Sequence, residues 1–175
     1  MPRTDTPRFV TLAYPLGRLF GICRNRAIVR LGQVDTAQDV QREAERAGAT
    51  EDPSAPLLAS LAHQLDDYFS GNRMTFDLPL DPPGTTFRRR VWQELLTIPY
   101  GETRTYGEIA NAIGDPGATQ AVGQANHHNP IGILIPCHRV IGADGSMVGY
   151  ASGVERKKWL LRLEGAEVMR QRELF

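Results

Sequence analysis

Hydrophobic and polar positions follow different patterns in the two halves of the chain. Three short apolar segments lie in the N-terminal half, at residues 9–14, 19–23 and 27–31. Breaks at Pro15-Leu16-Gly17 and Arg24-Asn25-Arg26 separate them, and this pattern predicts a β-meander. The polar stretch 35–47 is compatible with a helix. In residues 56–69 apolar side chains recur at helical spacing, which predicts an amphipathic helix that ends at Gly71.

The C-terminal half has the periodicity of helices. Residues 87–96 follow threonines that can cap a helix. The buried side of this helix is predicted to consist of Val91, Trp92, Leu95 and Leu96. Thr105-Tyr106-Gly107-Glu108 fits a capping box that opens a short helix to Ile113. After a turn at 114–117, a second short helix is predicted at 118–127, and such a pair resembles a helix-turn-helix. Helix pairs of this kind also occur in proteins that do not touch DNA, so the pattern alone assigns no function.

A last predicted helix begins at Ser152-Gly153-Val154-Glu155, which fits a second capping box. Trp159, Leu160 and Leu163 are predicted to face inward, and Gly165 is predicted to end the helix. No internal repeat and no low-complexity tract interrupts the chain.

The segment 78–84 is rich in residues that break regular structure, and it is the predicted domain boundary. We therefore expect an α/β domain over 1–82 and a mainly helical domain over 83–175. The content of 41% hydrophobic and 23% charged residues is that of a soluble globular protein. No apolar run approaches the ~20 residues that span a bilayer. The polar start at 1–8 has no apolar signal core, so we expect a cytoplasmic protein without a membrane partner.

The charge balance limits how the chain could bind a nucleic acid. Its 20 Lys and Arg residues balance 20 Asp and Glu residues, so any DNA contact must depend on local cations instead of a bulk field. Two cationic clusters, 88–90 and 156–158, could provide such contacts, but for each cluster alone a solvated helix face is the better interpretation. The two cysteines, Cys23 and Cys137, are too few for a disulfide framework.

The strongest chemical signal is Pro136-Cys137-His138-Arg139-Val140, which follows the apolar, strand-like run 131–135. Burial normally makes a thiol inert, but an imidazole within reach can raise the thiolate fraction. On adjacency alone, a core cysteine with an incidental histidine is the better explanation, because sequence neighbours often point in different directions. A metal site that combines this pair with His127 and His128 would match no standard ligand spacing.

Other motifs accompany this pentad in a defined order and spacing. They are Ile98-Pro99-Tyr100-Gly101-Glu102, Thr105-Tyr106, Asn129-Pro130, Gly149-Tyr150, Trp159-Leu160-Leu161 and Glu164-Gly165. Together they resemble the O6-alkylguanine-DNA alkyltransferase family, also called methylated-DNA–protein-cysteine methyltransferases. The resemblance is strongest over residues 87–165. The N-terminal half resembles the family only in its length and its β-then-helix layout.

The resemblance implies a self-sacrificing DNA repair protein. Such a protein binds the minor groove of double-stranded DNA through its helix-turn-helix and flips an O6-alkylguanine into a pocket. It then moves the alkyl group irreversibly to its own cysteine, and O4-alkylthymine is expected as a further substrate. The resemblance also implies a two-domain α/β fold with a ribonuclease-H-like N-terminal domain, acting as a monomer.

No step of this reaction requires a metal or an organic cofactor. Some relatives carry a structural zinc in the N-terminal half. Here Cys23 has no cysteine partner in that half, and His63 is the only histidine there. We therefore predict that the chain binds no zinc.

The resemblance assigns catalysis to five positions. Cys137 would be the nucleophile, His138 would take its proton through a water, and Glu164 would orient the imidazole. Tyr106 would neutralise the charge that develops on the leaving base, and Asn129 would brace the turn around the site. Contacts to the base or the DNA are expected from Tyr150, Ser152, Gln120, Ala118, Thr119, Ala121, Gly123 and Arg139.

Two positions depart from the family's pattern. Gln120 stands where the family usually has an arginine in the recognition helix, which fills the gap left by the flipped base. Glutamine has no charge and a weaker stacking plane, so less efficient flipping is expected. Ser152 stands where many relatives have glycine, and we expect it to narrow the pocket toward small alkyl groups.

Two other functional classes stay open at this point. A non-enzymatic protein of the same fold could bind the lesion and recruit other factors, but such relatives lack the nucleophilic cysteine, whereas Cys137 is present. A cysteine hydrolase could use Cys137 and His138. It would need an oxyanion hole, and no second motif for one appears.

Overall fold

The computed structural model describes residues 5–174, and the chain divides between Pro83 and Gly84 into two units. Residues 1–4, part of the polar N-terminal segment, lie outside the described residues. Within the described range, no helix combines the length and the apolar character needed to cross a membrane. Each unit has its own hydrophobic cluster.

The N-terminal unit is built on a four-stranded sheet. Its strands are β1 (Arg8–Tyr14), β2 (Gly17–Arg24), β3 (Ala27–Val34) and β4 (Thr50–Glu51). The spatial order is β3-β2-β1-β4, with antiparallel pairing except between β1 and β4. The predicted meander is confirmed. Strand β4 was not predicted because its two residues carry no apolar pattern.

Two helices cover the faces of this sheet. Helix α1 (Ala37–Ala47) begins at a capping box formed by Thr36 and Asp39, and its buried Ala44 joins the apolar cluster on one face. Helix α2 (Pro56–Phe69) packs on the other face. It lies so close to β2 that a Cβ on Gly21 would come within 2.8 Å of a Leu61 methyl carbon. Both predicted helices are confirmed.

The predicted boundary segment 78–84 is only partly a linker. Its first half pairs with the edge of the sheet, because Ile28 donates a backbone hydrogen bond to Pro79 (2.8 Å) and accepts one from Asp81 (2.9 Å). Leu80 forms the corresponding bridge with Ile28. The apolar Leu80 therefore belongs to the N-terminal unit.

The C-terminal unit is mainly helical. Its elements are α3 (Thr86–Leu95), β5 (Arg104–Thr105), α4 (Tyr106–Ala112), α5 (Thr119–His127), β6 (Val140–Ile141), α6 (Val154–Leu163) and α7 (Glu167–Glu173). Strands β5 and β6 pair in parallel. This small sheet and α7 were not predicted, since two-residue strands and a polar terminal helix leave little signal in the sequence.

Helix α3 supports the helix pair that follows it. Thr85 caps it, and Val91, Trp92 and Leu95 are buried as predicted. The indole Nε1 of Trp92 donates to the Ala125 carbonyl of α5 at 2.8 Å. The prediction for Leu96 is wrong: it is 49% exposed, because α3 ends at Leu95 and the chain turns away.

Helices α4 and α5 form the predicted pair. Thr105 and Glu108 make the expected capping box at the start of α4. The turn between the helices contains a short 3-10 segment, Pro116–Ala118. The exposed side of α5 is polar at its start, whereas Val122 and Ala125 are buried against the rest of the unit.

The apolar run 131–135 is not a strand, contrary to the sequence-based interpretation. It forms consecutive turns, with backbone hydrogen bonds from Leu134 to Gly132 (2.8 Å) and from Ile135 to Ile131 (3.0 Å). Ile133 adopts a positive φ of 69°. The run is apolar because all four of its side chains are buried, and burial alone does not distinguish a strand from a buried turn.

The start of α6 also differs from the prediction. The N-cap is Gly153, at φ 96°, and no side chain caps the helix, so Ser152 forms no capping box. The Ser152 carbonyl instead accepts a hydrogen bond from Arg156. Leu160 is buried as predicted, whereas Trp159 and Leu163 are only half-buried.

Candidate active site

Cys137 begins a single 3-10 turn, Cys137–Arg139, directly after the buried turns at 131–135. Its side chain is 6% exposed. Burial raises the pKa of the thiol above its ordinary value, and a hydrogen bond from Asn129 and the charge of Lys157 partly oppose this shift. In the free protein Cys137 therefore rests as a neutral thiol with two groups that favour its thiolate.

His138 and Glu164 form a fully buried pair. The Nε2 atom of His138 lies 2.8 Å from Oε1 of Glu164, and neither side chain is exposed. Burial lowers the pKa of His138 below its ordinary value, although Glu164 acts in the opposite direction. Nδ1 of His138 is buried and makes no hydrogen bond to another described residue. With Nε2 held by the carboxylate, Nδ1 of a neutral imidazole is free to accept a proton.

Arg139 lies beside Glu164 and forms an ion pair with it. Its guanidinium donates to both carboxylate oxygens of Glu164 at 2.9 Å and to the Ile98 carbonyl at 2.7 Å. Burial alone would raise the pKa of Glu164, but His138 and Arg139 together hold it well below its usual range. The backbone N–H of Gly101 also donates to this carboxylate. Arg139 therefore helps to hold Glu164 in its ionised state.

Asn129 connects the buried turns through hydrogen bonds to their backbone. Its Nδ2 donates to the Ile135 carbonyl at 2.8 Å, and its Oδ1 accepts from the backbone N–H of Ile131 at 3.0 Å. It also forms a hydrogen bond with Cys137 that favours the thiolate. One side chain thus sets both the shape of the turn and the position of the nucleophile.

Tyr106, the first residue of α4, donates its hydroxyl to the Val148 carbonyl at 2.9 Å. Burial raises its pKa, Cys137 adds to the shift, and a hydrogen bond with Asn126 opposes it. A Cβ on Gly149 would lie 2.9 Å from the phenol oxygen, and Gly149 has a φ of 80°. Glycine is therefore required for this close approach of the loop to the phenol.

A groove of about 450 Å³ runs between α5 and the loop that precedes α6. It is lined by Tyr106, Thr119, Gln120, Gly123, Gln124, His127, Val148 and Gly149. Three of the predicted contact residues, Thr119, Gln120 and Gly123, are in this lining.

The other predicted contacts lie elsewhere. Ala118 is the N-cap of α5, and Ala121 is exposed on α5 outside the groove lining. Tyr150 and Ser152 are half-buried in the loop before α6. Burial raises the pKa of Tyr150, and the charge of Cys137 adds to the shift.

Sequence analysis missed Lys157. The cluster 156–158 was interpreted as a solvated face, yet the Lys157 side chain is fully buried. Its Nζ donates to the carbonyls of Val140 and Val148. Burial lowers its pKa to about 8, while Cys137 favours the charged form. The signal was present in the spacing: Lys157 lies three and four residues before the buried Leu160 and Leu161 and so shares their face of α6.

We expect Lys157→Met to shift the reaction of Cys137 with iodoacetamide to higher pH, with a slower rate at pH 7. The cation that favours the thiolate would be lost, while a side chain of similar length would still fill the space. The rate should be followed from pH 5 to pH 10. Lys158→Met, which removes a neighbouring cation paired with Glu155, serves as the control. An unchanged profile for Lys157→Met would contradict this account.

A metal centre finds no support in the side-chain arrangement. Across residues 5–174, no group of three or more His, Cys, Asp or Glu side chains is placed to hold a metal ion. His127, the last residue of α5, and His128, its C-cap, are exposed, whereas Cys137 and His138 are buried. The structure therefore separates the two halves of the candidate cluster.

A helix-turn-helix and a buried cysteine backed by a His–Glu pair define a class of DNA-binding proteins that carry their own nucleophile. Residues 86–166 match the family model described as 6-O-methylguanine DNA methyltransferase, DNA binding domain. Residues 8–82 match the model of the ribonuclease-like domain of the same protein. The chain belongs to the 6-O-methylguanine DNA methyltransferase family.

Individual relatives agree with this assignment. The methylated-DNA–protein-cysteine methyltransferase of Mycolicibacterium paratuberculosis is 51% identical over 154 residues, which cover 88% of this chain and 90% of that protein. The corresponding protein of Mycobacterium leprae is 47% identical, covering 92% of this chain and 94% of that protein. The crystal structure of Mycobacterium tuberculosis OGT in complex with DNA gives a TM-score of 0.81 at 44% identity, covering 93% and 97% of the two chains.

These comparisons confirm the predicted family. They also confirm the two-domain α/β fold, with a ribonuclease-like domain followed by a DNA-binding domain that contains the helix pair.

Proposed function

We propose that this chain repairs double-stranded DNA by moving the alkyl group of an O6-alkylguanine to Sγ of Cys137. The observation that carries the proposal is the fully buried His138–Glu164 pair beside a buried cysteine. Curated relatives named methylated-DNA–protein-cysteine methyltransferase support it. In the reaction, the bond between O6 and the alkyl carbon breaks and a bond between that carbon and Sγ forms.

The thiol must lose its proton for sulfur to attack. His138 is neutral in the free protein and has Nδ1 available, so we propose that a water carries the proton from Cys137 to this atom. Glu164 holds Nε2 and stabilises the resulting imidazolium. Arg139 keeps Glu164 ionised and so acts as a positioning residue.

The departing guanine leaves with the electron pair of the O6–carbon bond. We propose that Tyr106 donates its hydroxyl proton toward a ring nitrogen of the base and so neutralises the developing charge. For this, the hydroxyl would turn from the Val148 carbonyl to the base. Gly149 permits the phenol to sit at this point of the loop.

DNA would bind along α4 and α5, with α5 in the minor groove and the protein acting as a monomer. Thr119, Gln120 and Ala121 are exposed on α5, and no side chain caps the first turn of this helix. Its backbone N–H groups are then available to phosphates. Because the net charge is zero, we expect modest, sequence-independent binding that weakens as salt is added.

The transfer would be irreversible, because a thioether on Cys137 is stable toward the neighbouring imidazole and carboxylate. The same chemistry extends to O4-alkylthymine.

We assign DNA binding and transfer to the domain over 83–175, and we place the α/β domain at 1–82. Tyr150 and Ser152 would lie against the base and its alkyl group, and Ser152 would favour small alkyl groups. We propose a cytoplasmic location for this activity.

Transfer of a labelled methyl group from duplex DNA to the protein tests this function. We expect the bound label to rise to one equivalent per protein and then stop. A lesion-binding protein without chemistry would acquire no label, and a hydrolase would release labelled product continuously. The alternative of a pure lesion binder gives no reason for the His138–Glu164 pair to be buried beside Cys137.

We expect Gln120→Arg to speed the repair of duplex DNA by roughly one order of magnitude, because a planar cation can stack in the gap left by the flipped base. Reaction with the free O6-alkylguanine base, which needs no flipping, should hardly change. Single-turnover rates on both substrates give the comparison. Gln124→Arg adds the same charge one turn later on α5 and is the matched control. Equal rates for the wild type and Gln120→Arg on duplex DNA would show that Gln120 does not limit flipping.

A further inference from the structure

The turn that connects α3 to β5 contacts the buried ion pair of Arg139 and Glu164 at three points. The Ile98 carbonyl accepts a hydrogen bond from the guanidinium at 2.7 Å. The backbone N–H of Gly101 donates to the carboxylate at 3.3 Å. Between these two residues, the ring of Tyr100 has its centroid 5.9 Å from Cζ of Arg139, a distance at which a cation and an aromatic ring attract each other. The proposed reaction uses the ion pair but gives Tyr100 no role.

The hydroxyl of Tyr100 reaches the helix that carries the carboxylate. It donates to the backbone carbonyl of Leu163 at 3.2 Å. Leu163 is the last residue of α6, and Glu164 is its C-cap. The last carbonyls of a helix have no partner within the helix and form the negative end of its dipole, which disfavours a carboxylate there. By donating to one of them, the phenol offsets part of this dipole and fixes the backbone from which the Glu164 side chain extends.

The local chemistry favours this contact. Burial raises the pKa of Tyr100, and the charge of Glu164 adds to the shift while Arg139 opposes it, so the phenol stays protonated and can donate. Gly101 brings the turn close to the end of α6. Its φ is 79°, and a Cβ on it would lie 2.8 Å from the Glu164 carbonyl oxygen. A side chain at this position would push Tyr100 away from the helix.

We propose that Tyr100 is a positioning residue of the transfer reaction, which holds the end of α6 so that the Glu164 carboxylate stays aligned with His138. This inference rests on the proposed function. Oε1 of Glu164 lies 2.8 Å from Nε2 of His138, and a charge-assisted hydrogen bond of this length depends on distance and angle. Without the Tyr100 contact, the carboxylate stabilises the imidazolium less, and His138 becomes a weaker base for Cys137.

Single-turnover transfer from O6-methylguanine duplex, measured across the acid limb of the pH–rate profile, tests this role. In Tyr100→Phe we expect the plateau rate to fall about fivefold, the effect of one lost hydrogen bond. His138 accepts a proton only when it is neutral, so the rate falls as the pH drops through its pKa. A fivefold weaker stabilisation of the imidazolium lowers this pKa, and the acid limb should move to lower pH by about 0.7 of a pH unit, since one unit corresponds to a factor of ten.

The direction of this movement distinguishes positioning from a general structural role. The charged groups that face His138 are Glu164, Arg139 and Lys157. Tyr100→Phe changes none of them, so a displaced acid limb reports on the placement of the carboxylate. A tyrosine that only stabilises the fold would lower the rate and leave the acid limb where it is.

A double-mutant cycle gives a second readout. In the background of Glu164→Gln, the charge that Tyr100 positions is already gone. Tyr100→Phe should therefore slow transfer about fivefold in the wild type and hardly at all in Glu164→Gln. Equal factors in the two backgrounds would show that Tyr100 does not act through Glu164.

Tyr14→Phe is the matched control, because the Tyr14 hydroxyl also donates to a backbone carbonyl, that of Ala62 in the N-terminal unit. It should keep both the wild-type rate and the wild-type acid limb. Transfer by Tyr100→Phe at the wild-type rate, or slower transfer with an unmoved acid limb, would overturn the proposal. If the wild type transfers no methyl group at all, the proposed function itself fails.

Discussion

Replacing Cys137 with alanine will abolish alkyl transfer while leaving DNA binding largely intact. The loss should be on the order of 10⁴-fold or more, as for other enzymes that lose their nucleophile. Binding should persist because Cys137 is only 6% exposed, whereas the groove is formed by α5 and the loop that precedes α6. Transfer is measured with labelled duplex, and binding by fluorescence anisotropy of the same duplex.

The other cysteine provides the matched control. Cys23 is half-buried on β2, in the N-terminal unit. Cys23→Ala should transfer one equivalent at the wild-type rate. Substantial transfer by Cys137→Ala would show that another residue receives the alkyl group.

Glu164→Gln is expected to reduce both activity and stability. The neutral amide cannot stabilise a protonated His138, so transfer should fall by roughly 10²- to 10⁴-fold. The change also leaves the buried charge of Arg139 without its partner, which costs roughly 3–5 kcal/mol of unfolding free energy. Denaturant unfolding measures the loss. Glu155→Gln removes an exposed carboxylate on α6 and should change neither quantity.

The pH dependence of stability gives a second readout for Glu164. Its folded pKa is depressed, so its contribution is present above the unfolded pKa of about 4.3 and is lost as the pH falls below that value. We expect the unfolding free energy of the wild type to decline below about pH 4 more steeply than that of Glu164→Gln. Parallel declines would contradict the depressed pKa.

Much of the fold could be predicted because local patterns and packing agree. The meander, the helix at 56–69 and the capping box at Thr105 all combine a local signal with an apolar face that the structure buries. The prediction failed where two structures share one pattern. The run 131–135 would be apolar in a strand and in a buried turn alike. Ser152 has the spacing of an N-cap residue, but Gly153 occupies the N-cap position of α6.

The candidate site could be predicted only where motifs mark it. Cys137, His138 and Glu164 came from the resemblance, and the structure brings the last two within hydrogen-bond distance. Lys157 and Asn126 were missed for a physical reason. A lysine within a cationic cluster and an asparagine beside two histidines are usually solvated, and only the tertiary packing buries them.

Peptide mapping by mass spectrometry after reaction with O6-methylguanine duplex tests the central claim most directly. The account predicts one methyl group on the peptide that contains Cys137, one equivalent of transfer at most, and an unmodified Cys23. Methyl groups on another residue, or turnover beyond one equivalent without modification of Cys137, would contradict it.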